Sequence, residues 1–323
     1  MEVVKMDSVA AVSRFLMEHP GAGLVAGGTD LIPRLNQKIE SRALLCSIDG
    51  ISELSKVQEL PDGGVLIGAG VRLSEIPGHP LLAGYAALTR AAGEAASLQI
   101  RNRATLGGNI LQENRCMYFN QSVHWSQLNR CFKLGGDQCF QYRKSPECVA
   151  LFQSDAAPAL MALGASAVVQ NGDVRREFLL GELYLRAGKK NLCPGDVLTG
   201  VRLPPLREGS SSAYERKTLR GSFDFPLISC AVSLCERNGR VSSLRAVLGS
   251  AGVMPQEIPE AGELLIGLAA EALPQAAPRV LPALRHAVAP FRDTRVNGAV
   301  RTEMGGEVFL RAVKAAAEAC GQK

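Results

Sequence analysis

The sequence predicts an α+β protein in two parts, and three observations carry that prediction. Up to residue 208, short apolar strand-like runs alternate with segments of helical periodicity. Beyond that, strand runs paired about Asn238-Gly239 precede three helical stretches, the pattern of a small antiparallel sheet with helices on one side. Between the two lies Gly209-Ser210-Ser211-Ser212, the best boundary in the chain. A length of 323 residues with 46% hydrophobic content is enough for both parts to bury cores.

The elements follow in order. Met1 to Met6 is strand-like, carries Glu2 and Lys5, and has no signal-peptide core. Asp7-Ser8 can cap a helix with Val9, Val12, Phe15 and Leu16 on one face, stopped by His19-Pro20-Gly21. A strand from Gly23 to Ala26 runs into Gly27-Gly28-Thr29-Asp30-Leu31. Successive glycines let a backbone approach a ligand closely, and the turn's N–H groups can form an anion nest. A plain strand-to-helix turn capped by Asp30 reads equally well. Ala43 to Ile48 and Val65 to Ala69 are buried strands separated by the turn Pro61-Asp62-Gly63-Gly64. The spacing of Leu81, Leu82, Tyr85, Leu88 and Ala92 predicts one buried helix over Pro80 to Leu98.

A second glycine pair follows in Ala104-Thr105-Leu106-Gly107-Gly108-Asn109. Two such pairs, each flanked by Thr and by Asp or Asn, look like two backbone clamps on one extended phosphate ligand; two unrelated turns are the plainer alternative. Ser154 to Leu163 forms a helix, and Ala165–Gln170 with Val174–Phe178 a hairpin about Asn171-Gly172. Val197–Leu203 and Ala213–Leu219 are strands, and Ile228–Arg237 with Val241–Gly249 a second hairpin. Helices close the chain near Ala261–Leu268, Pro274–Val288 and Glu303–Ala319.

Several function classes drop out. Gly68-Ala69-Gly70 lacks the third glycine and the ribose-binding acid of a Rossmann loop, and no P-loop occurs. His19, His79, His124 and His286 are scattered, with no HExxH and no hydrolytic constellation. The net charge of +5 is mild and dispersed, so nothing points to nucleic acid. No apolar run reaches membrane-span length.

The stretch between the second glycine pair and Ser154-Asp155 is different. It is polar, and it holds Cys116, Cys131, Cys139 and Cys148 in the pattern C-x14-C-x7-C-x8-C. Cys46, Cys193, Cys230, Cys235 and Cys320 read as small hydrophobes. The insert cysteines lie near Arg115, Arg130, Lys133, Arg143 and Lys144, whose charge favours thiolates. Zinc favours close C-x2–4-C pairs, which are absent, whereas one [4Fe–4S] cluster tolerates wide spacing and fits better. Disulfides and a dispersed zinc site stay open. Nine cysteines without a secretory leader predict a reducing compartment, the cytoplasm.

Taken in order, Ala26 to Leu31, Ala104 to Asn109, Ser154-Asp155 and Lys217-x6-Asp224-Phe225-Pro226 span almost the whole chain. Together they resemble the FAD-binding subunits of the molybdenum hydroxylases, the group of carbon monoxide and xanthine dehydrogenases. Most of that group lacks a cysteine insert. Arg115 to Ser122, Trp125 and Lys133 to Cys139 are similar to the cluster loop of the branch that has one, the beta subunits of 4-hydroxybenzoyl-CoA reductases.

The resemblance implies a two-part FAD-binding domain of the vanillyl-alcohol-oxidase/PCMH type over residues 1–208, with subdomains near 1–56 and 57–208 and an iron–sulfur insert near 113–149. It implies a small C-terminal domain of the carbon monoxide dehydrogenase flavoprotein type over 209–323. Leu24, Val25, Ala26, Gly27, Gly28, Thr29, Asp30 and Leu31, with Ala104, Thr105, Leu106, Gly107, Gly108 and Asn109, would hold the FAD pyrophosphate. Asp155 would accept from a flavin hydroxyl, and Lys217 would stand near the flavin, although it reads equally as a solvated strand lysine. Cys116, Cys131, Cys139 and Cys148 would ligate the [4Fe–4S] cluster. No residue would be catalytic.

The implied role is electron transfer. Electrons from a donor such as ferredoxin would pass to a small [2Fe–2S] subunit and a molybdenum-cofactor subunit of a heterohexamer that dehydroxylates an aromatic CoA thioester. The alternative is a xanthine-, aldehyde- or carbon monoxide dehydrogenase-type hydroxylase passing electrons outward to NAD or quinone. A zinc-stabilised scaffold without redox chemistry is the rival from another class.

Overall fold

A computed structural model of the chain describes residues 1–121, 130–221, 223–293 and 295–321. Ser122 and Trp125 of the cysteine insert lie outside the described residues.

The chain opens with β1 (Glu2–Lys5), α1 (Val9–Glu18), β2 (Gly23–Val25), α2 (Leu31–Asn36) and β3 (Leu44–Ser47). The strands form a parallel sheet ordered β1-β3-β2. The Ser8 hydroxyl accepts from the Ala11 N–H at 3.4 Å and starts α1, whose Val9, Val12 and Phe15 turn inward onto Cys46, Ile48, Ile51 and Leu54.

Next come β4 (Val57–Glu59), β5 (Val65–Gly68), α3 (Ala86–Glu94), α4 (Leu98–Arg101), α5 (Leu106–Leu111), α6 (Ala156–Ala162), β6 (Ser166–Asn171), β7 (Val174–Leu179), β8 (Tyr184–Arg186), β9 (Lys189–Lys190) and β10 (Val197–Leu203). All of these strands but the β8-β9 ribbon join an antiparallel sheet ordered β4-β5-β10-β6-β7, with α3, α5 and α6 packed into the same core. Gly172 takes φ +56° in the β6-β7 hairpin, but Asn171 stays in β6 and pairs with Val174, so the turn falls on Gly172-Asp173 rather than on the expected Asn171-Gly172. The single helix expected over Pro80 to Leu98 is in fact broken. A 3₁₀ turn spans Pro80–Leu82, and the chain leaves α3 through Ala96 at φ +47°. The break is held from both sides: Ser97 caps the Ile100 N–H at 3.3 Å, and Arg101 donates to the Ala95 and Ala96 carbonyls at 2.9 Å.

The remainder is β11 (Ser210–Lys217), β12 (Ile228–Arg237), β13 (Arg240–Gly249), β14 (Gln256–Glu257), α7 (Pro259–Leu265), α8 (Leu273–Ala276), α9 (Leu281–Ala287) and α10 (Gly298–Gly321). The strands form an antiparallel sheet in sequence order, covered by α7 to α10. The serine run at the expected boundary opens β11. Ser211 donates to the Ala316 carbonyl at 2.7 Å on one side, and Ser212 accepts from the Ala87 N–H at 3.1 Å on the other. The helix expected over Pro274 to Val288 is divided by Pro274, Pro278 and Pro282, each in the first turn of a short segment where a missing N–H costs nothing. No single helix among the described residues is long and apolar enough to cross a membrane.

Glu215 of β11 ties the two parts together by pairing with Arg90 on α3 and Arg311 on α10. Its side chain is 7% exposed while both arginines are partly in water, which screens the pairs. Glu215→Ala is expected to cost about 1–2 kcal/mol in a urea titration.

Candidate cofactor site

The two glycine loops meet each other before they meet anything else. A Cβ at Gly27 would sit 1.8 Å from the Arg103 carbonyl oxygen, and one at Gly107 would sit 2.8 Å from the Ala69 Cβ. Gly28 takes φ +74°, which a side chain disfavours. The expectation that both glycine pairs clear space for a ligand is corrected for Gly27 and Gly107, which clear space for neighbouring backbone. Gly108 differs, because only the Thr105 Oγ1 lies near its added Cβ. Thr105 caps α5 by accepting from the Gly108 N–H at 3.1 Å.

Once packed, the loops line a trough. One cavity of about 360 Å³ is walled by all of Leu24 to Leu31 together with Thr105, Gly107 and Gly108. A second, of about 180 Å³, is walled by Ala104, Asn109 and Asp155 among others. Thr29, Asp30, Gly108 and Gln112 line both, so the cavities lie side by side. Leu106 is the one member of the second motif that turns away, fully buried in the core. Asn109 holds the next wall by accepting from the Ser154 hydroxyl at 2.6 Å and the Ala156 N–H at 3.3 Å.

Asp155 is buried at the far end. Tyr214 Oη and Arg216 Nη1 donate to its Oδ1 at 2.6 and 2.9 Å, and among the described residues no hydrogen bond reaches Oδ2. Burial raises this carboxyl above the usual range, against the pull of Arg216. Arg216 also donates to the carbonyls of Glu94, at 2.7 Å, and Asp224. Lys217 is not brought to the trough: its ammonium pairs with Glu307 of α10 at 2.8 Å. Side chains alternate along a strand, so Tyr214 and Arg216 face Asp155 while Lys217 faces the other way. Tyr214 and Arg216 escape a motif-based reading, although the alternation itself could have found them.

Arg115 forms the opposite wall. Its guanidinium lies 4.4 Å over the Phe225 ring and pairs with Asp30 at 2.8 Å, and its Nε is buried without a partner. The next residue, Cys116, enters a small cavity lined by all four insert cysteines with Tyr118, Phe119, Phe132 and Phe140. Among the described residues, no three His, Cys, Asp or Glu side chains are spaced to grip a single metal ion. Burial pushes the Cys116 thiol up to about 11 and raises Cys148 as well. The expectation that nearby arginines and lysines favour thiolates is therefore corrected for these two, because desolvation outweighs that charge. A space of about 220 Å³, lined by Cys116, Arg115, Gln153, Asp224 and Phe225, separates this cavity from the trough.

Residues 1–206 match the family described as the FAD binding domain in molybdopterin dehydrogenase. The chain belongs to the FAD-binding subunits of the molybdenum hydroxylases. As an oxidoreductase subunit of this family, it is 33% identical over 287 residues to the FAD-binding subunit PaoB of the Escherichia coli (strain K12) aldehyde oxidoreductase, covering 84% of this chain and 87% of that one. It is 27% identical to the carbon monoxide dehydrogenase medium chain of Hydrogenophaga pseudoflava, covering 93% and 90%. The fold is that of a Cu,Mo-carbon monoxide dehydrogenase chain, with a TM-score of 0.80, 24% identity and 98% of each chain covered.

Lys190 carries a pH prediction for this flavin subunit. Its ammonium lies 4.4 Å over the Phe152 ring and 4.9 Å over Tyr184, and burial pulls it down to about 8 from 10.5. Between those values the unfolded chain holds a proton on this group that the folded chain has lost, so the Lys190 contribution to stability rises with pH across that window. Raised thiols such as Cys116 act in the opposite direction above pH 9, so the Lys190 effect is read by difference: the urea midpoint of the wild type is expected to gain on that of Lys190→Met from pH 8 towards pH 10.

Proposed function

We propose that this subunit carries FAD along the trough and a [4Fe–4S] cluster on Cys116, Cys131, Cys139 and Cys148, and passes electrons between them and partner subunits. One observation supports this above all: cysteines spread across the insert line a single cavity, and Cys116 and Arg115 connect it to the trough. A cluster is wider than one ion, so the reading rests on the shared cavity and not on a single-ion site, of which the described residues have none.

Leu24 to Leu31 and Ala104 to Asn109 hold the pyrophosphate, where the loop N–H groups meet its charge. The free Oδ2 of Asp155 accepts from a flavin hydroxyl. Arg216 pairs with Asp155 at the trough and donates to the Glu94 carbonyl, whereas its neighbour Lys217 pairs with Glu307. Bound FAD supplies the exchange between two-electron and one-electron transfer. The partners are a molybdenum-cofactor subunit and a small [2Fe–2S] subunit, in the cytoplasm. Likeness to an aldehyde oxidoreductase subunit favours electrons flowing outward, from an oxidised substrate to an external acceptor. The cysteine loop favours a second reading, inward flow from a donor such as ferredoxin in a 4-hydroxybenzoyl-CoA reductase heterohexamer.

Anaerobic purification with iron, sulfide, zinc and flavin assays tests the relay, with about four iron and one FAD per chain expected. Zinc without flavin overturns it. In the assembled complex, bleaching of the flavin by an aromatic aldehyde supports outward flow. Turnover of the CoA thioester with reduced ferredoxin, and no response to aldehydes, supports inward flow.

A further inference from the structure

Between the trough and the cysteine cavity stands one residue that belongs to both. Arg115 lines the trough and the intervening space, and its own peptide bond joins it to Cys116. Its backbone is fixed on both sides, donating to the Leu151 carbonyl at 2.8 Å and accepting from the Leu151 N–H at 3.0 Å. Its guanidinium is fixed as well, between the Phe225 ring and Asp30 of the first glycine loop. Asp30 does not neutralise it exclusively: the same carboxylate also faces Arg34 at 3.4 Å and accepts from the Glu113 N–H at 3.1 Å. Among the described residues the buried Nε–H has no partner, so part of the cation's hydrogen-bonding capacity is unused there.

We propose that Arg115 is a positioning residue whose fixed positive charge raises the reduction potentials of both the flavin and the cluster. This rests on the relay reading above. Adding an electron to either centre adds negative charge, and a cation held nearby in a poorly solvated wall favours the reduced form of each. Sharing one cation also ties the two potentials, so a change at Arg115 moves both in the same direction.

The test is potentiometry on the purified chain with its cofactors, alongside flavin and iron content. Arg115→Gln is expected to keep FAD and iron and to disfavour reduction at least tenfold at each centre. That corresponds to about 30 mV for a two-electron couple and about 59 mV for a one-electron couple. Arg115→Lys keeps the charge and is expected to lie close to the wild type. Asp30→Asn keeps an acceptor for the Glu113 N–H while leaving Arg115 less compensated, and is expected to shift the flavin potential upward. A merely structural role for Arg115 predicts no separation of Arg115→Gln from Arg115→Lys in either potential.

Unmoved potentials in Arg115→Gln overturn the inference, as does a downward shift in Asp30→Asn. If Arg115→Gln does not accumulate as folded protein, the double variant Arg115→Gln/Asp30→Asn, which leaves neither member of the ion pair alone, is compared with Asp30→Asn: lower potentials in the double variant support the inference, and equal ones overturn it. A wild-type chain with FAD but no iron removes the cluster from the relay and leaves the flavin half of the inference to be decided by the same variants. A wild-type chain without FAD sinks the relay and the inference together.

Discussion

An alanine at position 27 is expected to empty the subunit of FAD and to cost about 3 kcal/mol or more of stability, at or beyond the upper end of ordinary overpacking. The reason is backbone against backbone. The added Cβ would lie 1.8 Å from the Arg103 carbonyl oxygen and 2.7 Å from its carbon, and neither can rotate away as a side chain would. The Arg103 carbonyl is also the acceptor for Arg72 Nη1 at 2.6 Å, so moving it breaks a second contact. Relief requires the first glycine loop to withdraw from the segment that leads into the second, and the trough is formed by their contact. Flavin retained per chain and the thermal midpoint report the result. Gly21→Ala is the matched control, because its Cβ would meet nothing within 4 Å and its backbone is unstrained. Stoichiometric FAD in Gly27→Ala, with a midpoint like that of Gly21→Ala, would show that the loops do not depend on this approach.

Cys139→Ser is expected to remove nearly all iron while leaving FAD bound. Cys139 is 6% exposed and lines the small cavity with the other three insert cysteines. A serine hydroxyl is a poor replacement for a thiolate on iron, and a cluster short of one ligand is exposed to loss. The trough is lined by other residues, which is why the flavin stays. Cys193→Ser makes the comparison, since Cys193 is exposed and does not line the cysteine cavity. Equal iron in the two variants would detach the insert from any cluster. Loss of both iron and FAD in Cys139→Ser would mean that the insert supports the trough wall mechanically.

Much of the local structure is legible from residues alone. Val197–Leu203 and Ile228–Arg237 are strands with the predicted bounds, and Asn238 and Gly239 take the positive φ values of 54° and 71° that their turn type needs. These signals are local: apolar runs, turn chemistry and capping side chains act within a few residues. The misreadings have non-local causes or competing local ones. Pro80 to Leu98 has helical spacing, yet Ser97 and Arg101 hold a break within it. Pro274 to Val288 has helical spacing too, yet Pro274, Pro278 and Pro282 divide it into short segments.

The sequence by itself determined the order of the elements, the two glycine pairs and the four insert cysteines. Tertiary structure alone decided what those features face. Gly27 is constrained by Arg103 and Gly107 by Ala69, contacts that exist only when distant segments pack. On β11 every second residue faces Asp155, so Arg216 reaches it while Lys217 reaches Glu307. The face of a strand that meets a site depends on register and on the layers packed against it, which are properties of the whole fold. For the same reason Arg115, only one of several basic residues in the insert sequence, stands between two cavities in space.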